Sequence, residues 1–263
     1  MKDYYQDDEQ YQDELNPSRV DNIAIWKGIL VVIIGLLGFN LFAMLAAEII
    51  KAILPESEIQ ARIIEMNGWI NFSSYAIGLI SIIVVLGQGQ IEKMFRKYKQ
   101  LQVYLNGIGI GFIVLLAQSL YSMIANMIFG PVQENVNQGS IIDMIKTIPF
   151  LTFFVTVIFA PLLEEMVYRY SLFGMLHKKN RIFAYIVTLL VFGLIHFDFT
   201  CFKNGADAMK IEFMNLPAYL IAGGILCYAY EKNGSLISSI TAHATNNLIA
   251  FLQVLLLKDI MPS

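Results

Sequence analysis

Seven stretches of this chain are long and apolar enough to cross a bilayer, and nothing else in the sequence restricts the fold as much. They lie at about 23–54, 68–88, 103–130, 148–176, 182–200, 214–230 and 235–257. A span needs about 20 mostly apolar residues, and a hydrocarbon core leaves only helices or closed barrels able to satisfy the backbone. Continuous apolar runs of this length, without alternation, mean helices. Composition agrees: 57% of the residues are hydrophobic and 15% charged, against about 45–50% and about 25% in soluble chains. The expectation is an all-α, polytopic helical bundle, integral to a membrane and multi-pass. It has seven transmembrane helices, or eight helices in all if 131–147 adds one at the interface. The sixth window is short and holds Pro217 and Gly223–Gly224, so it is expected to be a broken helix. Gly107 and Gly111 are expected to let two helices approach closely.

The chain divides into an acidic, disordered tail at 1–22, N-terminal membrane helices at 23–130, and a chemically active core at 148–257. The tail lacks the basic start and short apolar core of a cleaved signal peptide, so the first span is expected to be retained. The closing "KDIMPS" has no cysteine, so no prenylation signal of its own is expected. A net charge of −3 gives no reason to expect a nucleic-acid partner. Cys201 and Cys227 suggest neither a disulfide framework nor a metal knuckle. Three loops are basic: 90–100 with Lys93, Arg96, Lys97 and Lys99; 177–181 with Lys178, Lys179 and Arg181; and 231–235 with Lys232. They are expected to face the cytoplasm, which puts the N-terminus inside and the C-terminus outside. A bacterial chain of this kind would sit in the plasma membrane.

Ionisable residues inside spans are costly and are functional candidates by default. "APLLEEMVYRYSLFG" at 160–174 carries Glu164, Glu165 and Arg169. Glu165 and Arg169 are four apart and can pair. Glu164 points about 100° away on the helical wheel and is free for other work. Pro161 is expected to kink the helix and open space beside Glu164. "FGLIH" holds Phe192 and His196, and "HATNN" holds His243 and Asn247, four apart on one face. Counted from the basic loops at 1.5 Å per residue, Glu164 and His196 lie about 20 Å deep, and His243 and Asn247 about 12–18 Å. Three helices thus bring polar groups to similar depth. His177 lies in a basic loop and is expected to be solvated.

A carboxylate, two imidazoles and a carboxamide can hydrolyse an amide. The carboxylate and one histidine take a proton from water; the other histidine and the asparagine donate to the developing oxyanion. Ser171, Ser238 and Ser239 are not placed as nucleophiles. Glu164, His196 and His243 are also a possible zinc set, although no His-Glu-x-x-His signature is present. The cavity such chemistry requires is expected to open toward the cytoplasm. A transporter with a proton relay is an alternative, favoured by a broken sixth span.

"EEMVYR", "FGLIH" and "HATNN", in this order, resemble the Glu-Glu-x-x-x-Arg, Phe-x-x-x-His and His-x-x-x-Asn motifs of the CAAX prenyl protease and bacteriocin-processing family, also called Abi or type II CAAX proteases. The resemblance covers roughly residues 148–250. It implies an intramembrane endopeptidase acting on a membrane-associated peptide or protein, prenylated or bacteriocin-like. In it Glu164 and His196 would activate water, His243 and Asn247 would form the oxyanion site, and Glu165 and Arg169 would support the geometry. Zinc would be its cofactor if a metal is used. The alternative on the same fold is a bacteriocin self-immunity or scaffold protein without proteolysis.

Overall fold

The computed structural model describes residues 20, 21 and 23–257. The acidic tail expected at 1–22 therefore lies almost wholly outside the described residues. The described chain is helical: α1 (Ile25–Ile53), α2 (Ile63–Leu86), α3 (Leu101–Phe129), α4 (Val136–Thr147), α5 (Pro149–His177), α6 (Arg181–Leu194), α7 (Ala206–Asn233) and α8 (Leu236–Leu257), with short helical turns between some of them. Six of these, all but α4 and α6, are long and apolar enough to cross a membrane. The protein is a multi-pass integral membrane protein.

The expected count of seven spans is thereby not met at α6. Its 14 residues reach only about 21 Å, short of a hydrocarbon core of about 30 Å. The cause is local. The carbonyl of Phe192 would accept the His196 N–H if the helix ran on. It accepts from His196 Nδ1 at 2.7 Å instead, while the His196 N–H turns to Gly193 O at 3.2 Å. A side chain competing for a backbone partner ends the helix.

The expected break in the sixth window does not occur. α7 is one continuous helix of 28 residues with Pro217 inside it. Proline removes one ladder bond and crowds the carbonyl four residues back. Here α3 supplies donors to that stretch: Tyr121 Oη reaches Met214 O at 2.7 Å and Gln118 Nε2 reaches Ala218 O at 3.2 Å. Neighbouring side chains of this kind let a proline persist in a membrane helix. α7 then ends on Gly234 at φ 53°, a left-handed position glycine takes without steric cost, and α8 begins two residues later.

α5 is the most enclosed span and α1 the least. The main core surrounds the second half of α5, where Val167, Tyr170 and Phe173 pack with Val31, Ile82, Leu226 and Tyr230. A second cluster joins α4, α5 and α8 through Ile142, Ile145, Val157, Phe251 and Val254. α3 lies against α8 along Gly107 and Gly111, where a Cβ would stand 2.7 Å from Ser238 O and from Ala242 O respectively. Backbone carbonyls cannot step aside. Gly111→Val is therefore expected to part the two helices and cost about 1–3 kcal/mol, read by thermal unfolding in detergent. Gly109→Ala, at a position with nothing within 4 Å of the added carbon, should leave stability unchanged within error.

The three basic loops meet at one end of the bundle. Arg96 donates to Gly234 O and Lys97 to Asn233 O, at 3.2 and 3.0 Å. Lys178 reaches Ile23 O at 3.3 Å, beside the start of α1. Arg181 and His177 both bind Glu231, at 2.6 and 2.8 Å. His177 is thus a hydrogen-bond partner of Glu231 at a helix end and not the solvated side chain expected. α4 and the carboxyl end of α8 lie at the opposite end.

Candidate active site

The functional stretch of α5 is wound differently from its surroundings. Residues 154–159 and 165–173 are π-helical, with α-helical Ala160–Glu164 and its Pro161 between them. π-Turns are rare and recur at functional sites, since each wider turn re-aims the side chains after it. Ser171 Oγ donates to the carbonyl five residues back, Met166 O, at 2.8 Å. This winding directs Glu164 and Glu165 to different partners.

Glu165 is fully buried and lies at the centre of a closed network. Its Oε1 accepts from Arg169 Nη1 at 2.8 Å and from His243 Nδ1 at 2.9 Å, and its Oε2 accepts from the Ser239 hydroxyl. Arg169, also fully buried, sends Nη2 to Gly223 O at 3.3 Å and lies over the Phe192 ring at 4.3 Å. The same glycine lets α6 approach α7, because a Cβ at Gly223 would stand 3.3 Å from the Leu189 backbone of α6. Ser239, passed over as a nucleophile, stands four residues before His243 on the same face of α8. It is wholly buried and donates to Glu165, which helps to orient that carboxylate.

Glu164 faces the other way, into a cavity of about 350 Å³. Its Oε1 accepts from Tyr75 Oη at 3.2 Å. Its Oε2 is buried without a hydrogen-bond partner and lies 3.9 Å from His243 Nε2. A buried, unpartnered carboxylate oxygen is costly, and a water or substrate group arriving there relieves that cost. The tautomers follow from the partners. An ionised carboxylate only accepts, so His243 carries its hydrogen on Nδ1, toward Glu165. A carbonyl only accepts, so His196 carries its hydrogen on Nδ1, toward Phe192 O. Both Nε2 atoms remain for other work. Asn247 Nδ2 spends one hydrogen on Thr156 O at 2.9 Å and keeps the second.

Of the six residues singled out from the sequence, Glu164, His196, His243 and Asn247 all line this one cavity. Glu165 and Arg169 do not; they lie behind it and hold His243. The cavity runs away from the basic loops and not toward them as expected, because that half of the bundle is filled by Tyr168, Tyr170, Phe173 and Tyr230. The zinc set does not form: among the described residues no three His, Cys, Asp or Glu side chains are gathered closely enough to hold a metal ion.

Several residues escaped the sequence reading. Tyr75 comes from α2, 89 residues from its partner Glu164. Tyr219 stacks on His196 at 4.5 Å between ring centres and 15° between planes. Glu212, 2% exposed, accepts from Asp198 N at 3.1 Å and Val136 N at 3.3 Å, while Asn135 Nδ2 donates to His196 O at 3.2 Å. These two side chains satisfy the irregular backbone that follows α6, which a membrane tolerates only where protein encloses it. Asn135 is legible locally as the cap of α4, where its Oδ1 accepts from Gln138 N, but its bond to His196 O and that of Glu212 to Val136 N join residues more than 60 apart.

Residues 146–249 match the family model of type II CAAX prenyl endopeptidases, Rce1-like. Over this stretch the chain is similar to that family. The Rce1-like segment runs from the end of α4 through most of α8 and contains all six residues. The chain is similar to the membrane-embedded CAAX protease MroQ of Staphylococcus aureus, 34% identical over 52% of this chain and 53% of that one. It is similar to YdiL of Bacillus subtilis, 36% identical over 33% and 36%, and to the UPF0177 protein YvdC of Lactococcus lactis, 26% identical over 57% and 52%. The chain thus spans about half the length of these curated relatives, or less. No solved structure matches it.

Proposed function

We propose that this protein is an intramembrane endopeptidase that hydrolyses a peptide bond of a membrane-associated peptide or protein with water as the nucleophile. One observation carries the reading: Glu164, whose Oε2 is buried and unpartnered, lines a cavity shared with two imidazoles and a carboxamide. The Rce1-like segment and the name of the staphylococcal relative support it.

In this mechanism Glu164, with His196 beside the cavity, takes one proton from a water as its oxygen bonds to the scissile carbonyl carbon. The free N–H of Asn247 donates to the oxygen that becomes anionic, and so does His243 when it acts as the imidazolium, with one N–H held by Glu165 and the other, on Nε2, directed at that oxygen throughout the reaction. The C–N bond then breaks, and the proton held by Glu164 passes to the leaving amine. Nothing is consumed but water. The gap of 3.9 Å between Glu164 Oε2 and His243 Nε2 is too long for a direct hydrogen bond and suits a bridging water.

The test is cleavage of a fluorogenic peptide panel, including a farnesylated CAAX peptide, by purified wild type and Glu164→Ala in detergent. Metal content is measured on the same samples. Cleavage by the wild type that the variant lacks supports a protease. A folded wild type that confers self-immunity, unchanged by Glu164→Ala, would replace it with the immunity reading.

Tyr75 gives a finer check. It holds Oε1 and leaves Oε2 without a hydrogen-bond partner. A hydrogen bond to a charged group contributes about 1.5–3 kcal/mol, so Tyr75→Phe should lower kcat/KM roughly 10- to 100-fold and lower thermal stability as well, because Glu164 Oε1 loses its partner. Wild-type kinetics in this variant would remove Tyr75 from the site.

A further inference from the structure

The cavity is closed toward one end of the bundle and continues toward the other. Between Glu164 and the basic loops lie Tyr168, Arg169, Tyr170, Phe173, Leu226 and Tyr230, all buried. In the other direction the wall continues through Asn71 of α2, Gln118 of α3 and Val254 of α8 to α4, where the lining residue Ser140 is exposed. The open route to Glu164 therefore starts at the end opposite the three basic loops. Loops rich in lysine and arginine stay in the cytoplasm, and here all three share one end.

We infer that the site is served from the exoplasmic side of the membrane. The substrate class is then a membrane-associated peptide whose scissile bond lies in or beyond the outer leaflet, as in an exported or secreted precursor. A lipidated C-terminus presented in the cytoplasm would meet the closed end. The chemistry of the wall agrees. Beyond Glu164 and the two histidines its polar side chains are uncharged, and Asn71, Gln118, Asn137, Gln138 and Asn246 are all carboxamides. Each offers both a donor and an acceptor, which suits the main chain of an extended peptide. Asn246 Oδ1 is buried without a hydrogen-bond partner, an acceptor that the protein itself leaves unsatisfied. This inference rests on the proteolytic reading for its substrate, but the direction of the cavity does not.

The experiment is side-specific labelling of the full-length protein in its membrane. Ser140→Cys and Gln138→Cys report the mouth of the cavity, and Lys179→Cys reports the basic end. Each is combined with Cys201→Ala; Cys227 is fully buried, and the background without an added cysteine serves as the blank. Intact cells and inverted vesicles are treated with a membrane-impermeant maleimide. The expected result is labelling at positions 138 and 140 in intact cells, and at 179 in inverted vesicles alone. Mouth positions labelled only in inverted vesicles, or mouth and basic end labelled on the same side, would overturn it. Labelling needs no catalysis, so the two readings fail separately. The expected labels with no cleavage of any peptide remove the protease and leave the outward cavity. Cleavage with reversed labels removes this inference alone.

Discussion

Glu164→Gln is expected to lower peptide cleavage by about 10²–10⁴-fold while leaving the bundle folded. The substitution is nearly isosteric. Its carbonyl oxygen can still accept from Tyr75 Oη, which bonds Glu164 at 3.2 Å. What it loses is the oxygen that can take a proton. Because Glu164 Oε2 has no hydrogen-bond partner in the protein, its removal breaks no structural bond, so catalysis and stability should separate. Kinetics and thermal unfolding on the same preparation measure both. His243→Ala should be comparably inactive, but less cleanly: it also removes the 2.9 Å bond to Glu165. Cleavage retained in Glu164→Gln would show that the carboxylate is not the base.

Arg169→Ala is expected to cost about 3–5 kcal/mol of stability, the scale for removing one partner of a buried pair. Arg169 and Glu165 are both wholly enclosed and bonded at 2.8 Å. Without the guanidinium, Glu165 keeps Ser239 and His243 but loses its permanent cation, and Gly223 O loses its donor. Activity should fall with stability, since Glu165 orients His243. Arg169→Lys tests the geometry behind this. An ammonium keeps the charge, yet it cannot span Glu165 and Gly223 as a planar fork while stacking on Phe192. The expected order of thermal stability is wild type, then lysine, then alanine. Wild-type stability in Arg169→Ala would show that the pair contributes nothing, and activity without it would show that Glu165 needs no such anchor.

The two substitutions act on opposite faces of one helix. Glu164 and Glu165 are adjacent in sequence, and the turn of about 100° per residue sends one to a cavity and the other to a closed network. The motif around them was legible for that reason. Glu165 and Arg169 are four residues apart, as are Phe192 and His196, and His243 and Asn247; such contacts within a helix can be read from spacing alone. Depth was legible too. Counting residues from three basic loops brought Glu164, His196 and His243 to one level, and the structure has all three on one cavity. The span of the resemblance, roughly 148–250, agrees with the 146–249 that match the Rce1-like family.

Two expectations failed, one through partners from a distant segment and one through a side chain competing with its own backbone. Pro217 reads as a break, but Tyr121 and Gln118 of α3 serve the carbonyls around it. The window at 182–200 reads as a full span, but the His196 ring takes the carbonyl its own backbone would use. Apolarity and periodicity along the chain thus determined that this protein is a bundle of membrane helices, that its basic loops share one end, and that a few ionisable side chains lie deep between them. Tertiary structure alone decided that Tyr75 reaches Glu164, that Glu212 satisfies the backbone beyond α6, and which end of the cavity is filled. The reason is physical: hydropathy and helical spacing are properties of neighbours in sequence, whereas a hydrogen-bond partner and an open space are set by helices that meet only after folding.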